Sequence, residues 1–300
     1  MPRKVAVPVR KLIPARFAPL FIDWTFKIVF GKPAGIPLLI ALLNDFLRKV
    51  LPTPIKEIKF IPTELLGVAP NSKKVIFDIL CEDGSKSTYL LEMQNAKLEN
   101  ADDRLRLYIA RIQSENIDRG NRDYALPGSF FIGILNHKRD NGKYFFTEEG
   151  WVNLQTKKLA SNKEFKIFVE LPKFNKKASE CKTFRDKIVF LLKNLHILEE
   201  RPDNFSEKIF DRIFSVSEIC KLNRDELKAY RYSMRYVDER KLAIDCAVKD
   251  AVKDSTIAVT RQVKRQRNRE IARAMLADGL DPAFIARYIK LPLSQINRLR

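Results

Sequence analysis

The chain has 300 residues, of which 45% are hydrophobic and 31% charged, and its formal net charge is +19. That length exceeds what one small core fills and suggests roughly two domains, while the composition is too apolar for a disordered chain. The longest apolar run, Ile36 to Leu43, falls well short of a membrane span, and so large an excess of cations calls for an anionic partner, usually a polyphosphate. A solvated basic surface or an acidic protein partner fits the same charge.

The N-terminus is basic (Arg3, Lys4, Arg10, Lys11, Arg16), and Pro2, Pro8 and Pro14 interrupt its apolar patch. No small-residue cleavage site follows, so a signal peptide is not expected. Cys81, Cys181, Cys220 and Cys246 are scattered without a C-x-x-C pair, and His137 and His196 are isolated. The cysteines read as small buried hydrophobes in a reducing compartment, which places the chain in the cytoplasm, with no membrane partner.

Asp23-Trp24-Thr25-Phe26-Lys27 opens a periodic apolar segment. Leu38, Leu39, Leu42, Leu43, Phe46 and Leu47 repeat at three and four, as an amphipathic helix requires, and Pro52 and Pro54 end that pattern. From Lys73 the period changes. Val75 to Leu80 reads as a buried strand, Glu82-Asp83-Gly84-Ser85 as a turn, and Ser87 to Gln94 as the returning strand. Asp102 to Ile117 has helical spacing, and Phe130 to Leu135 and Glu164 to Leu171 are further strands. Helices around an antiparallel or mixed sheet account for the first 170 or so residues.

Beyond Pro172 the strand signals stop, and Phe184 to Leu198, Phe205 to Ile219 and Arg224 to Asp250 read as helices. Asp250 to Gln266 is either a linker or an exposed helix. A short helix through Ile271, Ala274 and Met275 follows, then a turn at Gly279. Asp281-Pro282 supplies an N-cap and a first-turn proline for a helix through Tyr288. Leu291-Pro292 turns again, and Ser294 starts a final helix through Arg300. This is the outline of a helix-turn-helix. The domain division expected is 1–175, a helical region 176–250, and a basic, helix-turn-helix-like tail 251–300.

Asp78 interrupts an apolar strand, and Glu92 and Gln94, two apart on the partner strand, leave the same face. With the loop centred on Ser85, Asp78 lies across from Glu92. Two carboxylates side by side repel unless a positive charge sits between them. Magnesium, or another divalent cation, takes hard oxygen ligands and keeps water for attack on a phosphodiester. An exposed acidic pair on an edge strand, with Gln94 incidental, is the other reading.

Asp78 followed by Glu92 and Gln94 on a hairpin resembles the core of the PD-(D/E)XK nucleases, with glutamine in place of the usual lysine. Further segments resemble one branch, the recombination-promoting nucleases, also known as transposases. They are Asp23-x-x-Phe26-Lys27 with Phe30-Gly31, Leu91-Glu92-Met93-Gln94, Arg104 with Tyr108, Glu170-Leu171-Pro172-Lys173-Phe174, Phe190 to Leu195, and the Ile271 to Ile296 pattern. The resemblance spans nearly the whole chain. It implies an α/β nuclease core, a central mixed sheet flanked by helices, that cleaves DNA with a divalent metal. Asp78 and Glu92 would be its ligands, and Gln94 would stand where the lysine orients water. Asp23 would be an early helix acid, or merely the N-cap of the first helix. Arg104 would contact the scissile phosphate or lie as a solvated charge, and Tyr108 belongs to the core.

Where that branch often carries a Gly- and Glu-rich repeat, residues 260–269 here are basic and free of acids. Beside a helix-turn-helix, Lys264, Arg265, Arg267 and Arg269 are expected to position DNA through phosphates, and Gln295, Asn297 and Arg298 to reach base edges. The sequence therefore points to a bacterial, magnesium-dependent DNA endonuclease associated with recombination or mobile elements. A DNA-binding protein that kept the fold and lost catalysis is the alternative, and an interaction protein for acidic partners a third. Whether copies associate into a homo-oligomer is left open.

Overall fold

The computed structural model describes residues 15–65, 75–97, 100–115 and 126–299. The basic segment with Arg3, Lys4, Arg10 and Lys11, the end of the helix expected to reach Ile117, and Arg300 lie outside the described residues. Two compact units divide between Val237 and Asp238.

In the first unit the strands are β1 (Ile58–Phe60), β2 (Glu64–Leu65), β3 (Val75–Ile76), β4 (Ile79–Asp83), β5 (Thr88–Gln94), β6 (Ser129–Leu135), β7 (Phe146–Gly150) and β8 (Glu164–Glu170). Six of them form one mixed sheet in the order β1-β4-β5-β6-β8-β7, and β2 pairs with β3. The hairpin β4-β5 is antiparallel, β5, β6 and β8 run parallel, and the outer strands are antiparallel to their neighbours. All seven residues of β6 are buried, as a parallel strand covered on both faces requires. The crossover from β5 to β6 carries α3 (Ala101–Glu115).

Alternation along the strands sorts two cores. Tyr89, Leu91 and Met93 of β5 pack on one face with α1 (Asp23–Phe30), α2 (Ile36–Phe46), α4 (Phe184–Asn194) and α5 (Asp211–Ser217). Leu90 points the other way, into a second core with Phe131, Phe168 and the Leu105, Ile109 and Ile112 side chains of α3. The α/β architecture expected from the sequence is the one that forms. Two details differ. The strand expected from Val75 to Leu80 is broken at Phe77 and Asp78, because the Asp78 side chain takes up a backbone amide there. Strands β1 and β7, at the two sheet edges, were not expected.

A single helix, α6, spans Arg224–Ala277 and ends in the second unit. Residues 250–266 are thus helix, and the separate helix expected around Ile271 is the end of this one. No glycine or proline occurs between Arg224 and Ala277 to stop it. Gly279 (φ 81°) turns the chain into α7 (Pro282–Ile289). Asp281 caps α7 by accepting the Phe284 N–H at 3.1 Å, and Pro282 occupies the first turn, where its missing N–H costs nothing. After Lys290, in the left-handed region, comes α8 (Leu293–Asn297). Ala272, Ile285 and Ile296 bury one residue from each of the three helices. The last helix ends at Asn297, so Arg298 is its C-cap rather than a helical residue. Of the residues in α8, Ile296 alone is buried. Among the described residues no single helix is long and apolar enough to cross a membrane.

Candidate active site

The hairpin register places Ile79 opposite Leu91 and Glu82 opposite Thr88, centring the turn on Ser85. The next pair outward is Asp78 and Glu92, and there the ladder stops. Asp78 Oδ2 instead accepts the Met93 N–H at 2.7 Å. Glu92 and Gln94 leave the sheet on the face of Leu90, toward α3. Beside Glu92 on that face, β6 carries Gly133. A Cβ at Gly133 would come within 2.8 Å of the Phe131 ring and 3.1 Å of the Phe168 ring, so the glycine lets those two rings pack across it.

Helix α1 closes over the end of the hairpin. Asn95 Nδ2 donates to Phe21 O at 2.7 Å, and Asn136 Nδ2 donates to Asn95 Oδ1 at 3.1 Å, tying the start of α1 to the ends of β5 and β6. At its other end a Cβ on Gly31 would lie 2.9 Å from Lys27 O, with Ile79 Cγ1 3.5 Å away. Lys27 Nζ lies 2.6 Å from Asp23 Oδ1 and 3.4 Å from Asp78 Oδ1. Asp23 is not the N-cap of α1; Ile22 holds that position, and the Asp23 carboxylate turns to Lys27.

Burial is the main cause that pushes the Asp78 carboxyl up to about 6, with the Met93 amide pulling down and Asp23 pushing further up. Glu92 is pushed up to about 8 by burial first and the Asp78 charge second, against the pull of Lys27 and Arg104. Burial draws the Lys27 ammonium down, but Asp23 and Asp78 outweigh it and hold it above its ordinary value. Glu92 Oε1 is buried with no hydrogen-bond partner among the described residues. Once ionised, Asp23, Asp78 and Glu92 outnumber Lys27, the ammonium paired with Asp23 and Asp78.

A hard divalent cation fits that deficit. Among the described residues no group of three or more His, Cys, Asp or Glu side chains could hold an ion unaided. An ion at Asp78 and Glu92 would draw its remaining ligands from water or substrate.

The other sequence-predicted residues are placed as follows. Gln94 is half-buried and lines a cleft of about 750 Å³ with Lys97, Asp102, Arg106, His137 and Arg139. Arg104 is exposed and donates to the Tyr108 hydroxyl at 2.8 and 3.1 Å. The Tyr108 ring meets Phe77 edge-on at 5.2 Å, so this pair braces the bend that carries Asp78. Glu170 and Lys173 of the E-L-P-K-F segment are structural. Glu170 is buried and accepts the Arg139 N–H at 2.7 Å and Lys173 Nζ at 2.8 Å, which fixes one wall of the cleft. In the second unit Lys264, Arg265, Arg267, Arg269, Gln295, Asn297 and Arg298 are all exposed. Lys27 is the residue that sequence reasoning missed. Its spacing from Asp23 is that of an ordinary helical ion pair, and only the contact with Asp78 sets it apart.

The chain falls in one class of enzymes, the PD-(D/E)XK nucleases. Within it, residues 20–247 match the PD-(D/E)XK nuclease family transposases, and the chain belongs to that family. Membership implies a nuclease linked to mobile elements, with DNA as substrate, and such nucleases typically use a divalent metal. No curated protein and no solved structure gives a significant match.

A carboxyl raised in the fold keeps its proton while the unfolded chain has lost it, so it lowers stability as pH rises from 4.5 through about 8. Glu92→Gln removes that cost. Metal-free variant should melt a few degrees above wild type at pH 8, a gain on the order of 1–3 kcal/mol for removing a buried carboxylate charge. The difference should shrink toward pH 4.5. Thermal melts in chelator check this, and an unchanged or lower melting point at pH 8 would contradict it.

Proposed function

We propose that this chain is a magnesium-dependent endonuclease that hydrolyses DNA phosphodiester bonds, with Asp78 and Glu92 as the metal ligands. The observation that carries the reading is the buried, unpartnered Glu92 Oε1 beside Asp78, in a pocket short of positive charge. When bound, the ion supplies Lewis acidity toward the phosphodiester and offsets the two carboxylates.

The chain's own residues divide the remaining work. Asp78 is oriented by the Met93 amide and Glu92 by its place on β5. Lys27 supplies the positive charge that a neutral glutamine at position 94 cannot, and it stabilises charge developing on the phosphate. Asp23 holds the Lys27 ammonium in place. Gln94, able both to donate and to accept, positions water from the cleft side. Arg104, at the exposed rim, meets the scissile phosphate. In the second unit the basic residues of α6 contact phosphates, and Gln295, Asn297 and Arg298 meet base edges.

Purified protein with magnesium should nick or cut supercoiled plasmid, and Asp78→Asn or Glu92→Gln should each lower the rate at least about a hundredfold. Lys27→Met should cost roughly 10²–10³-fold. Adding Gln94→Lys to it should recover part of that loss, because a lysine there leaves the sheet beside Glu92. Full activity in Lys27→Met would remove that residue from the mechanism. DNA binding with no cleavage under any divalent metal would favour a protein that kept the fold and lost catalysis.

For the second unit, alanine at Lys264, Arg265, Arg267 and Arg269 together should weaken binding alike on all sequences. The slope of log affinity against log salt should fall by about 0.9 for each phosphate that these side chains no longer neutralise. Titrations at several salt concentrations measure it, and an unchanged slope would exclude these residues from the interface.

A further inference from the structure

A second concavity adjoins the acidic site. It measures about 820 Å³ and is walled by α1 with Lys32 on one side and the first turns of α6 on the other. Asp23 and Lys27 belong to its lining, so it is continuous with the carboxylate cluster. The α6 wall presents Lys228, Tyr232 and Tyr236 at four-residue steps, which sets them in one row along the helix. Tyr232 is 74% exposed and Tyr236 55%, so both rings reach solvent. Trp24 forms the opposite wall, half-buried, with its backbone N–H directed to Ser233 Oγ at 3.4 Å and its ring 6.1 Å from that of Tyr230.

We propose that this groove binds an unpaired stretch of the DNA substrate, with bases stacked on Tyr232 and Tyr236 and phosphates met by Lys32 and Lys228. The inference rests on the nuclease reading above and adds the substrate class: DNA with a single-stranded segment next to the cut, rather than uniform duplex. Three features favour that occupant. Two successive exposed rings, with Lys228 at one end of their row and Lys32 on the facing wall, offer partners to both the bases and the phosphates of a single strand. A duplex offers such rings only base edges and backbone, because its base faces are stacked on one another. The volume admits a nucleotide or two but no double helix, and the groove leads straight to Asp23 and Lys27. Asp225, on the same wall, lies one turn from Lys228 and limits the row of positive charge at that end.

The test uses full-length protein carrying Glu92→Gln, in calcium, and fluorescence anisotropy on two labelled DNAs. One is a blunt duplex, the other the same duplex with a ten-nucleotide single-stranded tail. The tailed DNA should bind roughly tenfold or more tightly. Tyr232→Ala with Tyr236→Ala should abolish the preference, while Tyr232→Phe with Tyr236→Phe, which keeps the ring faces, should retain it. Equal affinity for the two DNAs, or a preference that survives the alanine pair, would overturn the proposal. So would a change of oligomeric state in the alanine pair with tailed-DNA affinity intact, since the groove would then be a contact between copies. Because binding is read without cleavage, the result is independent of plasmid cutting by wild type, which tests the nuclease reading itself.

Discussion

Two carboxylates, Asp78 and Glu92, are drawn together at the end of a β-hairpin and largely shielded from solvent, with the Lys27 ammonium of α1 as the counter-charge beside Asp78. Such an arrangement costs free energy in the isolated protein, since a buried charge lacking a partner is disfavoured. The surrounding packing enforces it. The Met93 amide takes the place of a ladder bond to hold Asp78. Asn95 and Asn136 tie the start of α1 to the ends of β5 and β6. Strain that the whole fold maintains at one place is a sign of function there.

The placement of Lys27 answers the chemical difficulty posed by Gln94. A glutamine two residues beyond Glu92 can hydrogen-bond but brings no charge. An ammonium approaching from α1 reaches the same cluster from another direction, so the positive charge need not come from the strand that bears Glu92. Asp23 acts through that lysine. Its carboxylate sits 2.6 Å from Nζ and contributes to the excess of negative charge that a cation would relieve.

Much of this could be read from the sequence, for identifiable reasons. A hairpin has fixed register once its centre is known, so a loop centred on Ser85 sets Asp78 opposite Glu92, although Glu82 and Asp83, read as turn, belong to β4. Alternation then placed Gln94 on the same face. Other features left no local trace. Phe146-Thr147-Glu148-Glu149-Gly150 is polar because β7 lies at the sheet edge, and Ile58-Lys59-Phe60 is three residues long, too short for a periodic signal. Lys27 looked like half of an i,i+4 pair. The aromatic row on α6 has helical spacing that suits a buried face equally well, and only the exposure of Tyr232 and Tyr236 distinguishes the two. Glu170 looked like a strand-end acid, yet it is buried and holds the cleft wall through Arg139 and Lys173.

The central claim is that Asp78 and Glu92 share one divalent cation. Diffraction from crystals soaked in manganese, recorded at the metal's absorption edge, tests it most directly. A single anomalous peak within bonding distance of both carboxylates is the predicted result. A manganese peak elsewhere in the protein, with none between Asp78 and Glu92 at saturating metal, would contradict it.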